Sequence, residues 1–343
     1  MQRENKGLRV FLIILCVILG LVLALMTCAT GYAVYLNSRV NRVDGTVETL
    51  SQEQMEQIMA EDTIPPDATT APVMREEDMD WGENEGQIIE TDDNVVNILL
   101  IGQDARPGEG RSRSDSMILV TFNKEKKTIT MTSFLRDLYV QIPGYQDNKL
   151  NATYAFGGMP LLNSTLEQNF GVRVDGNVEV NFAYFAQVIN ALGGVNLELR
   201  ADEANYINGG TGRNVLSAGM MHLDGDQALV YSRIRSLDRD ADFSRTNRQR
   251  KVINALIEKF RNTDLITLLG IMDDLLPMIT TDMSNKDMIK LATELFPILK
   301  EATIVSQRVP ADGAYELKTI RSMSCVVADM DAARELLEQT MGG

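Results

Sequence analysis

The sequence predicts an α/β protein: a single exported α/β/α domain with a central mixed sheet and helices on both faces, preceded by one transmembrane helix. Three observations predict it. Strand-length apolar runs, such as Val95 to Ile101, are interspersed with longer stretches whose apolar residues recur at helical spacing. An apolar stretch from Val10 to Tyr35 contains no charged residue. The acidic residues crowd into one segment between the two.

A helix rises ~1.5 Å per residue, so about 20 residues cross a hydrocarbon core. Residues 10–35 are therefore long enough to serve as an uncleaved anchor, longer than the apolar part of a signal peptide. Arg3, Lys6 and Arg9 precede the span and favour the cytoplasmic side. The expected order is a cytoplasmic tail at 1–9, the anchor at 10–35, and everything beyond on the extracytoplasmic side. Cys16 and Cys28 lie in the apolar stretch, leaving Cys325 alone in the soluble part, where no internal disulfide can form. Its apolar surroundings, Ser324 to Ala328, make it a packed core residue.

The formal net charge is −15. Between Asp44 and Asp93 stand 16 acidic residues and one basic residue, Arg75, so this segment carries the whole of it. With Pro65-Pro66 and few large apolar residues, 36–93 reads as an acidic flexible stalk, with a short helix around Thr46 to Met59. The residues outside 44–93 balance, 32 basic against 32 acidic, so the folded domain, 94–343, has no positive excess. That balance, with the expected anchor, disfavours a nucleic-acid partner.

Within that domain, Val95 to Ile101 reads as a strand buried on both faces. Ser116–Phe122 and Thr128–Phe134, joined by the charged turn Asn123 to Lys127, read as a hairpin. Helices follow at Met159–Phe170, at Phe182 to Ile189, and at Asp224–Tyr231. Val195–Leu199 is a strand. Ser244 is placed as N-cap of a helix from Arg245 to Phe260. Helices at Asp264–Leu276 and Ser284–Leu299, a strand at Thr303–Val309 and a helix at Met330–Gln339 complete the chain.

Asp104 follows the first strand and Asp115 opens the second, so both stand near one sheet edge. Carboxylates from two loops, with waters and phosphate oxygens, suit magnesium; aspartates in such places also simply form turns. Arg136 follows the third strand. Arg233 and Arg235, two apart, share one face of an extended segment. Arg245, Gln249, Val252 and Leu256 form one helix stripe, so Gln249 points inward. Arginine forks at a helix start match phosphate oxygens. Asp238, Asp240 and Asp242 lie among these arginines, and a salt-bridge network fits the spacing equally well. The single histidine, His222, reads as structural.

The sequence resembles the LytR-CpsA-Psr family of cell-wall ligases, with core motifs over 94–262. The resemblance rests on Asn97 to Gly102 with Asp104 and Arg106, Arg113 to Met117, Ser133 to Tyr139, Lys149 to Ala152 with Tyr154, and Leu223 to Leu229 leading into Tyr231, Arg233 and Arg235. Asp242, Arg245, Arg248 and Gln249 complete it. Leu135 stands where the family usually has proline, and Ser244 where it has glycine.

The resemblance implies a membrane-anchored phosphotransferase. It would move an anionic glycopolymer, of teichoic acid or capsule type, from a polyprenyl-pyrophosphate carrier to a peptidoglycan sugar hydroxyl, on a bacterial cell surface of Gram-positive type. Asp104 and Asp115 would hold Mg2+. Arg106, Arg113, Arg136, Arg233, Arg235, Arg245, Arg248 and Gln249 would bind the pyrophosphate, with Asp242 orienting an arginine or accepting a proton. The polyprenyl tail would lie in an apolar tunnel between sheet and helices. The same residues would also serve a polyprenyl-pyrophosphate hydrolase, and a non-catalytic wall-binding or regulatory module is the third possibility.

Overall fold

A computed structural model of the chain describes residues 31, 35, 38–43, 50, 52–60, 71–83, 85–103, 111–238, 241–263, 267 and 274–342. The expected anchor lies outside these residues except at Gly31 and Tyr35, and the helix expected from Asp264 to Leu276 lies largely outside them. No helix among the described residues is long and apolar enough to cross a membrane.

In chain order the elements are β1 (Asn41–Arg42), α1 (Gln52–Ala60), β2 (Val95–Gln103), β3 (Ser114–Asn123), β4 (Thr128–Phe134), β5 (Tyr139–Val140), β6 (Asn148–Lys149), α2 (Leu150–Phe170), β7 (Gly176–Asn181) and α3 (Phe182–Ala191). There follow β8 (Val195–Leu199), α4 (Ala201–Thr211), β9 (Gly219–Leu223), α5 (Gly225–Ser232), α6 (Ala241–Arg261), β10 (Ile279–Thr281), α7 (Asn285–Leu299), β11 (Thr303–Val309), β12 (Tyr315–Ile320), β13 (Met323–Ala328) and α8 (Met330–Met341).

The central sheet is mixed, in the order β1-β10-β7-β2-β3-β4-β11. The β2, β3 and β4 strands run antiparallel as neighbours, and β7 and β11 pair parallel on either side of them. Alternation across the pleat sends Leu99, Ile101, Met117, Leu119 and Phe134 to one face, where α2 and α8 cover them. It sends Ile118, Val120, Ile129 and Met131 to the other, against Ile253 and Ile257 of α6. Sheet strands with apolar residues on both faces need helices on both, which is the layered arrangement predicted.

The Val195–Leu199 strand does not join this sheet. It pairs with β9, a strand the sequence reading missed, in a separate two-stranded sheet. Leu197, Leu199, Leu223, Tyr231, Val252 and Leu256 pack there as a second core beside α3, α4 and α5. In α5, Asp224 caps the helix through the Gln227 amide at 3.0 Å. A Cβ on Gly225 would meet the Ala186 carbonyl of α3, so only glycine permits this close approach. The second helix starts earlier than predicted, at Leu150, and is kinked at Gly158, whose φ of 60° and ψ of −153° only glycine adopts readily.

Two expectations are corrected. Ser244 is not an N-cap, because α6 begins at Ala241 and Ser244 lies within its first turn. Nor is 36–93 a uniform stalk. Asn41 and Arg42 pair with Thr280 and Thr281. Val73 bridges Thr319, and Met74, Met79 and Trp81 pack against Tyr139, Ile320, Met323 and Cys325. Ile89 is buried and bonds the Gly171 carbonyl at 2.9 Å. A handful of well-spaced apolar residues anchors a segment whose average composition is that of a spacer. Cys325 is buried in that core, as expected.

Candidate active site

Asp115 owes its direction to an irregularity in the sheet. Gly102 pairs with Ser116 and Gln103 with Ser114, so Asp115 is one extra residue, a β-bulge opposite the end of β2. Arg136, just past the end of β4, reaches its Oδ1 with Nη1 at 2.7 Å. Arg235 and Arg245 stand at 3.9 Å from the same oxygen. Asp137, next to Arg136, pairs with the buried Lys149 at 3.2 Å.

Asp115, Arg233, Arg235, Arg245 and Gln249 together line a cavity of about 220 Å3. One carboxylate faces several guanidinium groups here, so the pocket is electropositive and suits a multiply charged anion. Arg233 is the C-cap residue of α5 rather than part of an extended segment; the turn after it still brings Arg233 and Arg235 to one pocket.

A second cavity of about 380 Å3 lies between the sheet and α6. Leu100, Ile118, Val178, Phe185, Ile253 and Leu256 are among its walls, and Gln249 lies at its edge. Gln249 therefore borders both the apolar cavity and the arginine pocket. Its Oε1 is buried and has no hydrogen-bond partner among the described residues. The prediction that Gln249 opens the inward face of its helix is met.

Other predicted residues go elsewhere. The Arg248 side chain is 4% exposed and pairs with Glu203 at 2.8 Å and with Asp238. Its guanidinium also reaches the Ile234 carbonyl at 3.2 Å. It belongs to the salt-bridge network that the spacing left open, and it does not line the arginine pocket. Glu203, on a helix absent from the sequence reading, gave no signal of this. Arg200 donates to Asp238 as well, and these two arginines hold that carboxyl below the usual range. Arg113 turns toward α2 and α1, bonding Asn151 Oδ1 at 3.0 Å and the Ile58 carbonyl. It too is absent from the pocket lining. Asp104, Arg106 and the Asp242 side chain lie outside the described residues. His222 is exposed on β9, with Nδ1 2.9 Å from Asn196 Oδ1, away from the arginine pocket.

The donor set at Asp115 is compatible with a hard divalent cation. Those contacts from Arg136, Arg235 and Arg245 fall on Oδ1. Magnesium keeps several waters and takes only one or two protein carboxylates.

Residues 63–340 match the family model described as the LytR_cpsA_psr family. The chain belongs to the LytR-CpsA-Psr family. Among curated relatives, it is 37% identical over 208 residues to the polyisoprenyl-teichoic acid–peptidoglycan teichoic acid transferase TagT of Bacillus subtilis (strain 168), covering 59% of this chain and 63% of that protein. It is 30% identical over 305 residues to the teichoic acid transferase TagU of Enterococcus faecalis (strain V583), covering 84% of each. Among solved structures, TagT bound to LIIa-WTA superposes with a TM-score of 0.62 at 30% identity, over 77% of this chain and 99% of that one. The YwtF (TagT) structure with bound octaprenyl pyrophosphate lipid gives 0.57 at 29% identity, over 77% and 99%. As a LytR-CpsA-Psr protein the chain has the mixed-sheet α/β fold of these structures.

Proposed function

We propose that this LytR-CpsA-Psr protein is a transferase that moves an anionic glycopolymer from a polyprenyl-pyrophosphate carrier to a peptidoglycan sugar hydroxyl. The observation that carries the reading is the junction at Gln249. An apolar cavity runs on one side of this residue and an arginine pocket on the other. The complementary ligand has a long apolar tail ending in a compact, multiply charged anion. A polyprenyl pyrophosphate has that form, and relatives are named as transferases of polyisoprenyl-linked teichoic acid. Teichoic acid is the polymer these names favour over a capsule polysaccharide.

In this reading Arg136, Arg233, Arg235 and Arg245 grip the pyrophosphate oxygens and hold the reacting phosphorus at the pocket mouth. The tail against Ile253 and Leu256 fixes which phosphate faces outward. The acceptor hydroxyl attacks the polymer-side phosphorus, the bond to the bridging oxygen breaks, polyprenyl phosphate leaves in the tunnel, and the hydroxyl proton passes to solvent or to the departing phosphate. Phosphoryl transfer of this kind depends on positioning and charge neutralisation more than on a dedicated base. Asp115, with Asp104 from the adjoining strand end, would hold Mg2+, which when bound neutralises charge on the pyrophosphate. Residues 10–35 would anchor the protein in the cell membrane with the domain outside.

The test is reconstitution. The detergent-extracted full chain, given a polyprenyl-pyrophosphate-linked teichoic acid precursor, peptidoglycan oligomers and Mg2+, is expected to yield polymer joined to glycan through one phosphate. Free polymer phosphate in place of that product makes it a hydrolase. Absence of both, with no octaprenyl pyrophosphate bound, overturns the reading.

A further inference from the structure

The Lys149–Ala152 and Tyr154 motif has no place in the pocket, yet its helix packs on β3, the strand that carries Asp115. On α2, Asn151, Tyr154 and Gly158 are spaced i, i+3, i+7 and share one face. Asn151 accepts a hydrogen bond from Arg113 at 3.0 Å. The Tyr154 hydroxyl donates to Glu179 Oε2 at 2.5 Å. A Cβ on Gly158 would stand 3.4 Å from Arg111 Nη1, so the guanidinium rests directly over the helix kink.

The contact at Tyr154 continues. Glu179, on β7, accepts from the Gln103 side-chain amide through its other oxygen. Gln103 Oε1 in turn accepts from both the backbone N–H and the hydroxyl of Ser112, each at 3.2 Å. A chain of hydrogen bonds thus runs Tyr154, Glu179, Gln103, Ser112. It joins the last residue of β2 to the chain just before β3, the two flanks of the bulge that carries Asp115. Burial raises the Tyr154 hydroxyl's pKa, and the Glu179 carboxylate beside it raises it further, so the phenol stays a donor. A bulge is an unpaired residue, and its direction is only as fixed as its flanks.

We propose that Glu179 is a positioning residue, which with Tyr154 and Gln103 sets the bulge that aims Asp115 at Arg136. The role for Asp115 rests on the proposed transfer reaction; the positioning does not. Donor and acceptor are fixed along the whole chain. Glu179 offers only acceptors, and Gln103 meets it with its amide while turning its oxygen to Ser112.

That polarity gives the test. In Gln103→Glu, two carboxylates face each other and the link breaks. In Glu179→Gln, the new amide nitrogen turns to Tyr154, whose hydroxyl accepts, and the link survives. In the double variant the polarity is exchanged: the amide introduced at position 179 donates to the carboxylate introduced at position 103, which still accepts from Ser112. The full chain is followed by peptide-level amide exchange over 112–117, by melting temperature, and by kcat and KM for transfer. Gln103→Glu is expected to speed exchange there about tenfold and to lower kcat about tenfold, with KM for the lipid substrate within about threefold. Glu179→Gln stays within about threefold of wild type in each, and the double variant returns there.

Unchanged exchange in Gln103→Glu, or a double variant no better than Gln103→Glu, overturns the positioning role. A lower melting temperature in Gln103→Glu that the double variant fails to restore also overturns it, since that marks general destabilisation. If exchange follows the expected pattern while wild type shows no transfer, the positioning stands and the reaction assignment falls.

Discussion

Arg136 Nη1 lies 2.7 Å from Asp115 Oδ1, and the guanidinium groups of Arg235 and Arg245 stand 3.9 Å from that same oxygen. A carboxylate so placed opposes an incoming pyrophosphate unless a cation joins it. At about 4 Å and an effective dielectric near 20, a charge pair is worth about 4 kcal/mol before screening. Asp115→Asn is therefore expected to bind octaprenyl pyrophosphate several-fold more tightly in EDTA, while Mg2+-dependent transfer falls at least about 100-fold. Isothermal titration and a product assay check the two halves; weaker binding in EDTA contradicts the electrostatic argument.

The apolar cavity gives a prediction about chain length. Ile253 faces it from α6. Ile253→Trp is expected to fill much of its about 380 Å3 and to weaken octaprenyl pyrophosphate binding at least about tenfold. A short analogue such as geranyl pyrophosphate keeps its affinity. Equal losses for both lipids place the tail elsewhere.

Arg248 and Arg233 separate stability from chemistry. Removing Arg248 leaves Glu203 and Asp238 without their buried partner, a loss of about 3–5 kcal/mol. Arg248→Ala is expected to lower the urea midpoint, and the exposed Arg233→Ala to lower transfer while leaving it unchanged. The Asp238 carboxyl titrates below its unfolded value, near 3.9. Its contribution is present in full above that value and is lost as pH falls through the folded pKa. Urea midpoints below about pH 4 should therefore fall less steeply in Arg248→Ala than in wild type.

Arg250 is 7% exposed, two of its nitrogens have no hydrogen-bond partner, and no carboxylate pairs with it among the described residues. Burial, and then the charge of Arg308, push its pKa down to about 10. A cation buried on these terms works against folding. Arg250→Met is expected to stabilise the fold by about 1–2 kcal/mol, raising Tm by roughly 2–6 °C. A fall in Tm contradicts the desolvation argument.

The layered fold was legible because its strands carry apolar residues on both faces and its long helices have clean stripes; Val95, Thr303 and Met330 each begin the element predicted there. What was not legible depended on partners distant in sequence. The β12–β13 hairpin turns through Arg321 and Ser322, both at positive φ, without the Asn-Gly signal that marks such turns. Of the pocket and the arginine that pairs with its carboxylate, Arg233, Arg235, Arg245, Gln249 and Arg136 were visible as types and spacings. Arg248 carries the same kind of signal, and Asp238 together with Glu203, 45 residues earlier, takes it away. Gln103, Glu179 and Tyr154 form a chain that no local pattern could announce.

The parallel pairing of Asn41 and Arg42 with Thr280 and Thr281 fixes where the chain enters the domain. That entry strand adjoins β10, whose first residue, Ile279, is also a wall of the apolar cavity. Between Tyr35 and Asn41 the backbone can span about 20 Å at most. With residues 10–35 in a bilayer, as the sequence predicts, this is a short mooring line. On the proposed function it would hold this edge of the sheet against the headgroups, so that a prenyl chain could slide from leaflet to protein with little passage through water. The acidic stretch comes after this entry strand in the sequence, so its length sets no distance between the anchor and the domain.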